Sequence, residues 1–187
     1  MNKAWALKQN GFTIVELLTV VVIIGILASI SLVAYGNVQT RADTSAKVQA
    51  MKNWAKVFEL YRVTNGAWPN VMTGGNYYCL GTGFPSSSFS GNVPRCRDYH
   101  STTTGYLESD AVALMNLLKT VAPALPDNQK KAVNSAVVGP YVYRSSSTST
   151  ITITDVFPPT STVCPDGTTQ EFYDINTARW CRIQLDG

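Results

Sequence analysis

The chain's 187 residues suffice for one medium-sized domain with an anchor and are too few for two domains of ordinary size. Hydrophobic residues make up 45% of the chain and charged residues only 14%, a balance that excludes disorder driven by charge repulsion. The net charge of +3 gives no electrostatic case for a nucleic acid as the main partner.

The first predicted element is an apolar segment of about 25 residues, from Phe12 to Gly36, without a proline. As a helix it would be about 37 Å long, enough to cross a hydrocarbon core of about 30 Å. Glu16 is the only formally charged residue between Lys8 and Arg41. Because a charged side chain inside a bilayer is costly, we expect this carboxylate to have a partner or a function.

Helix-forming residues continue beyond the apolar segment, which predicts one helix of about 53 residues that becomes amphipathic in its second half. The apolar residues of that half recur at steps of three and four and share one face: Val48, Met51, Trp54, Ala55, Phe58 and Tyr61. Another face carries Lys52, Lys56 and Glu59. Asn65-Gly66, followed by Trp68-Pro69, predicts the end of the helix.

Beyond the helix, residues 70–107 are predicted to form a loop region because they are punctuated by glycine and serine. Ser109 or Asp110 is a candidate cap for a short helix that ends near Val121. The segment DNQKKAVNSAVV, which starts at Asp127, is a candidate for a second short helix.

Strand signals come only late in the chain. Four stretches with alternating or β-branched residues are candidates: 141–144, 148–157, 170–174 and 179–185. They predict a small antiparallel sheet that covers the apolar face of the long helix. The expected fold class is therefore α+β, with a long N-terminal helix packed on a small C-terminal antiparallel sheet.

The four cysteines form no C-x-x-C pair, and the chain has a single His, so the sequence gives poor support for a structural zinc site. An even number of cysteines behind a membrane segment fits disulfides formed outside the reducing cytosol. Of the three connectivities, we favour Cys79–Cys96 and Cys164–Cys181, because each pair brackets a stretch rich in Gly, Ser, Pro or Thr. No metal or cofactor is predicted.

The N-terminal residues resemble those of a known family. GFTIVEL at residues 11–17, after a leader with Lys3 and Lys8 and before a long apolar helix, resembles the class III signal of type IV pilins. Type II secretion pseudopilins and competence pilins share this signal. A weaker resemblance, YRVTNGAWP at residues 61–69, matches the end of the long helix in that family.

The resemblance implies a processing site and an assembly residue within a pilin-like fold. A prepilin peptidase would cleave after Gly11, Phe12 would be N-methylated, and Glu16 would dock each subunit against the new terminus of a neighbour. The implied parts of the chain are a leader at 1–11, a transmembrane and filament-core helix at 12–36, its amphipathic half at 37–65 and a globular head at 66–187.

We interpret the chain as a non-enzymatic structural subunit of a type IV pilus that serves adhesion, twitching motility or DNA uptake. Its implied partners are further copies in a helical filament, other pilins, the prepilin peptidase and, before assembly, the membrane. A nucleic acid would enter only through a DNA-uptake role. Lys3 and Lys8 predict a single-pass precursor in the cytoplasmic membrane with its N-terminus inside, and assembly would place the chain in an extracellular fibre.

Two functional alternatives stay open: a pseudopilin of a type II secretion system, and a single-pass anchored extracellular protein or hydrolase. The second rests on His100 near the serines of residues 86–90, without the G-x-S-x-G elbow of a hydrolase. Two simpler interpretations of the N-terminal segment also stay open. Glu16 could only stabilise the helix dipole, or the segment could be a secretory signal peptide cut near Gly36.

Overall fold

The computed structural model describes residues 12–84, 96, 111–127, 131–133, 136–157, 163–174 and 178–187. The chain divides into two compact units, Met1–Ala42 and Asp43–Gly187. One helix, α1, runs from Ile14 to Asn65, close to the predicted bounds.

The end of α1 has the geometry that its sequence predicts. Gly66 has a positive φ of 76°, a conformation that glycine adopts without steric cost. Its N–H donates to the Arg62 carbonyl at 2.7 Å, and the Asn65 side chain donates to the Tyr61 carbonyl at 2.9 Å. These two bonds satisfy carbonyls that the last turn of a helix otherwise leaves without partners.

In the first unit, α1 is apolar and exposed. Ile14–Ser31 has a mean hydropathy of 2.6 and no buried residue, so by length and composition it could cross a membrane. Its exposed fractions stay high throughout: even the large apolar residue with the lowest value, Val22, is 51% exposed. The part of the chain that the structure describes therefore leaves this apolar surface without cover.

The second unit contains the remaining elements. In chain order these are β1 (Tyr77–Cys79), α2 (Val112–Lys119), β2 (Lys131–Val133), β3 (Ala136–Val138), β4 (Tyr141–Arg144), β5 (Ile151–Phe157), β6 (Thr169–Asp174) and β7 (Ala178–Leu185). Five strands form an antiparallel sheet in the order β1-β4-β5-β7-β6, and β2 and β3 form a separate hairpin. The predicted α+β fold is confirmed.

The sheet covers the apolar face of α1, as the sequence predicts. Trp54 and Phe58 of α1 are fully buried and lie in one cluster with Ile151 and Ile153 of β5 and with Leu185 of β7. Burial of a large apolar side chain stabilises a fold by roughly 1.5–3 kcal/mol. The packing of this apolar face of α1 against the sheet therefore contributes much of the stability of the helix–sheet contact.

The opposite face of the sheet is also buried along part of its length. Tyr141, Val156 and Trp180 point away from α1 and lie in a second cluster with Phe84 and Cys96. Because both faces of β5 are covered, all seven residues of this strand are buried.

The prediction of a second short helix from Asp127 is wrong. Lys131–Val133 and Ala136–Val138 are instead antiparallel strands, and Lys131 is paired with Val138. Valines at 133, 137 and 138 favour strands because their branched side chains restrict helical rotamers, and Asn134-Ser135 are turn-forming residue types. The strand preference of these valines therefore outweighs the helix-forming residues that precede them.

Two further predictions need correction at their boundaries. The predicted loop region at 70–107 includes a short strand, β1, which pairs with β4. The predicted caps Ser109 and Asp110 lie outside the described residues, and the N-cap position of α2 is Ala111, whose side chain makes no capping hydrogen bond.

Candidate functional site

The predicted processing and assembly residues surround the start of α1. Gly11 lies outside the described residues. Phe12 is 86% exposed, and Glu16 lies in the first turn of the helix.

Thr13 and Glu16 form a reciprocal capping arrangement. The backbone N–H of Thr13 donates to Oε2 of Glu16 at 2.9 Å, and the Thr13 hydroxyl donates to the same oxygen at 2.8 Å. In return, the backbone N–H of Glu16 donates to Oγ1 of Thr13 at 3.2 Å. The sequence T-x-x-E produces this capping box, because side chains three residues apart meet at the start of a helix.

The capping box uses only part of the Glu16 carboxylate. Both Thr13 donors bind Oε2, and no described residue bonds to Oε1. Glu16 therefore stabilises its own helix end, as the simpler interpretation holds, and still presents an oxygen that can accept an external cation.

The other polar side chains of the apolar window bond back to their own helix. The hydroxyls of Thr19, Ser29 and Ser31 donate to the carbonyls of Glu16, Ile26 and Leu27 at 2.9, 2.7 and 2.8 Å. Such bonds satisfy hydroxyl groups in an apolar medium. The hydroxyl donors of this window are thus satisfied within the helix, whereas Oε1 of Glu16 has no partner among the described residues.

The second unit contains a buried ion pair that the sequence analysis did not predict. Nζ of Lys47 lies 3.0 Å from Oδ1 of Asp155, and the two side chains are 5% and 0% exposed. Val156 N–H donates to the same oxygen at 2.7 Å, whereas Oδ2 has no hydrogen-bond partner among the described residues. Burial raises the pKa of the Asp155 carboxyl, and Lys47 offsets only part of that effect.

Two sequence signals mark this pair. Lys47 precedes Met51 by four residues and so shares the buried face of α1, rather than the solvated charged face. Asp155 continues the alternation of Ile151 and Ile153 and so points towards the helix. Because both residues are charged, the sequence analysis did not count them as members of these buried periodic patterns.

The structure contains both disulfides that the sequence analysis favours. Cys79–Cys96 and Cys164–Cys181 have S–S distances of 2.08 and 2.02 Å. The first joins β1 to residue 96, and the second joins the segment before β6 to β7. They therefore tie chain segments to two strands of the sheet.

A metal site receives no support from the described residues. They contain no group of three or more His, Cys, Asp or Glu side chains arranged to hold a metal ion. His100 and the serines of residues 86–90 lie outside the part of the chain that the structure describes.

Comparison with known proteins connects the capped, apolar helix start to a family. The family model described as the prokaryotic N-terminal methylation motif matches residues 7–32. The type IV major pilin protein PilE1 of Neisseria gonorrhoeae is 30% identical over 105 residues, which cover 56% of each chain. The N-terminal part of the chain is thus similar to type IV pilins.

Two further relatives match the same chain. A second PilE1 protein of Neisseria gonorrhoeae is 30% identical over 56% of this chain and 46% of its own length. A fimbrial protein of Neisseria meningitidis serogroup A / serotype 4A is 36% identical over 35% of this chain and 38% of its own length. The chain thus spans about half or less of these curated relatives. No solved structure matches it.

Proposed function

We propose that this chain is a structural subunit of a type IV pilus that polymerises through the first half of α1. The observation that carries the proposal is the exposed apolar window Ile14–Ser31, which has a single acid at its start. An apolar surface of this kind needs a lipid or a protein environment. The relatives named as major pilins and as a fimbrial protein support the second environment after assembly.

Processing would create the cation that Glu16 needs. Cleavage between Gly11 and Phe12 leaves an ammonium group on Phe12, which N-methylation keeps basic. The match to an N-terminal methylation motif at residues 7–32 supports both steps. The new terminus lies four residues, or about 6 Å along a helix, from the carboxylate of its own chain.

In the filament, we propose that Oε1 of Glu16 accepts a hydrogen bond from the Phe12 ammonium of a neighbouring copy. Thr13 would continue to hold Oε2, since its two donors belong to the same chain. In the dry centre of a helical bundle the ion pair would be strong because few waters screen it. This contact would set the axial position of one subunit against the next.

The proposal also assigns a membrane orientation to the precursor and a role to each part of the chain. The leader 1–11 would stay in the cytoplasm and be removed, residues 12–36 would form the fibre core, and 37–65 would carry the head formed by 66–187. Disulfides in that head fit an exported domain. Before assembly, the apolar window would anchor the precursor in the cytoplasmic membrane.

Mass spectrometry of sheared and purified surface fibres tests the proposal. The expected result is that this polypeptide is a main component and begins with N-methylated Phe12. An intact leader, or a cut near Gly36, would contradict the proposed processing. Fibres that lack the chain, combined with loss of protein secretion when it is deleted, would instead identify a pseudopilin.

A further inference from the structure

One row of side chains crosses the sheet on the face opposite α1. The strand register aligns its members across β1, β4, β5 and β7. We call it the outer row: Tyr77, Tyr143, Thr152 and Gln184. It shares its face with Tyr141 and Trp180, which lie deeper in the buried cluster described above.

The outer row has accessible side chains at its two ends, whereas Thr152 in its middle is buried. The rings of Tyr77 and Tyr143 pack with centroids 4.7 Å apart at 35°, and both residues are only half-buried. Gln184 is exposed, and its amide donates to a carboxylate oxygen of Asp186 at 3.1 Å. With neighbouring strands about 4.8 Å apart, the row is about 14 Å long, which suits one or two sugar rings.

Arg182 lies beside this row on the same face. Its register partner on β5 is Thr154, and along β7 it lies between Trp180 and Gln184. The residue is half-buried, and its Nε is buried without a hydrogen-bond partner among the described residues. No described carboxylate pairs with its guanidinium. A buried donor of a charged group without a partner is costly, and a bound anion would account for it.

The other basic side chains that are buried or half-buried on this unit have partners. Lys47 pairs with Asp155, Arg144 donates to the Met72 carbonyl at 2.6 Å, and Arg62 donates to the Asp186 carbonyl. Arg179 also makes an interaction. The open guanidinium of Arg182 is therefore an exception within the described part of this unit.

We infer that Arg182 and the outer row form a binding site for a carboxylated sugar. A guanidinium fork binds a carboxylate through two parallel hydrogen bonds. Tyrosine rings provide flat apolar surfaces for the faces of sugar rings, and the exposed Gln184 amide can bond to sugar hydroxyls. This inference is independent of the proposed pilus function.

The charge of the site favours a single carboxylate over a polyanion. Nucleic acids bind through several cations that neutralise successive phosphates. Here one unpaired cation lies beside Gln184, whose partner Asp186 carries a negative charge. A phosphate chain that crossed the outer row would meet that carboxylate, whereas one acidic sugar would reach Arg182 alone.

The test measures sugar binding to the full chain in detergent micelles by NMR chemical-shift titration. The probes are 3′-sialyllactose and a glucuronate-containing hyaluronan tetrasaccharide, with lactose as the neutral counterpart of the first. We expect at least one acidic sugar to bind at millimolar concentration and to shift signals of β4, β5 and β7. Arg182→Gln should weaken that binding by about tenfold or more, because it removes charged hydrogen bonds.

Matched variants separate recognition from general effects. Lys119→Gln removes one positive charge at an exposed position of α2 and should leave the affinity unchanged. Gln184→Ala, at an exposed position of the row, should weaken binding and keeps the test valid if Arg182→Gln fails to fold. Four results would overturn the inference: no binding of either acidic sugar, equal binding of lactose, unchanged affinity in both site variants, or tighter binding of a single-stranded DNA oligonucleotide.

Discussion

At the residue scale, the start of α1 gives the Glu16 carboxylate a local role, to which our proposal adds an intermolecular one. Thr13 engages Oε2 of Glu16 from two sides, so the side chain is already oriented in an isolated chain. An oriented carboxylate loses less side-chain freedom when it binds a neighbour's ammonium. In the proposed fibre, the capping box would therefore support assembly instead of competing with it.

Replacement of Glu16 should separate processing from assembly. Glu16→Gln keeps the shape of the side chain and removes its charge, so we expect cleavage after Gly11 to continue while the yield of surface fibres falls by about tenfold or more. Immunoblots of the cleaved chain and quantification of sheared fibres measure the two steps. Glu59→Gln, at an exposed position of the amphipathic half, is the control. Normal fibre yield in Glu16→Gln would contradict the docking role.

Replacement of Thr13 tests the capping box. Thr13→Val removes the hydroxyl that both donates to and accepts from Glu16, and loss of an N-cap side chain costs about 1 kcal/mol of helix stability. Amide hydrogen exchange of the full chain in micelles should quicken in the first turn of α1. Thr19→Val removes a hydroxyl that bonds only to a helix carbonyl, and it should have little effect there. Equal exchange in the two variants would show that the capping box contributes nothing.

At the element scale, α1 changes its environment along its length. Its first half is apolar on every side, and its second half packs one stripe against the sheet. Lys47 and Asp155 join that stripe as a charged pair. A buried pair of this kind contributes little to stability over an apolar pair of similar size, but removal of one partner leaves an uncompensated charge.

Single and double replacements of the pair should therefore differ in how much stability they cost. Lys47→Met leaves the Asp155 carboxyl buried alone and should lower the free energy of unfolding by about 3–5 kcal/mol. The double variant Lys47→Met/Asp155→Leu should recover most of that loss. Denaturant unfolding of the full chain in micelles, monitored by the near-UV signal of the aromatic residues of the head, measures both. A double variant as unstable as the single one would contradict this account.

The pH dependence of Lys47→Met gives an independent readout. Burial raises the pKa of Asp155 and Lys47 lowers it, so loss of Lys47 should raise this pKa further. A folded state with the higher pKa binds the proton more tightly than the unfolded chain. Its stability is present at low pH and is lost as the pH rises through the folded-state pKa. The deficit of Lys47→Met against the original protein should shrink as the pH falls, and a constant deficit would contradict the assignment.

Periodic patterns explain which elements the sequence predicts well. The stripe from Val48 to Tyr61 and the alternation of Ile151 and Ile153 each face one core, so tertiary packing reinforces local preference. Strand β1 and the hairpin at 131–138 have only three residues per strand, too few for a period to appear. The motif T-x-x-E is enough to predict the capping box. The position of Arg182 beside the outer row depends on how the strands pair, and no local sequence pattern predicts that register.

At the scale of the whole molecule, the two disulfides close loops of equal length but differ in exposure. Each joins cysteines 17 residues apart, so the chain-entropy contribution should be similar, roughly 3 kcal/mol each. Cys79 and Cys96 are both fully buried, whereas Cys164 is partly exposed. Thiol–disulfide exchange needs access to a sulfur atom.

Mild reduction of the native chain should therefore break Cys164–Cys181 first. Alkylation of the released thiols with a mass tag, followed by peptide mapping over time, identifies the order. The variant Cys164→Ser/Cys181→Ser provides the reference for the slower bond. Release of Cys79 and Cys96 first, or at the same rate, would contradict the difference in exposure.

Among the described residues, the head has a covered core, whereas the apolar window Ile14–Ser31 contains no buried residue. The proposed polymerisation through that window would cover its apolar surface. The measurement that tests this claim most directly is a cryo-electron-microscopy structure of the purified fibre. We expect residues 12–36 in a dry core, with the Glu16 carboxylate of one copy within hydrogen-bond distance of the Phe12 ammonium of the next. A fibre in which Glu16 contacts only its own Thr13, or in which the apolar segment lies outside the core, would contradict it.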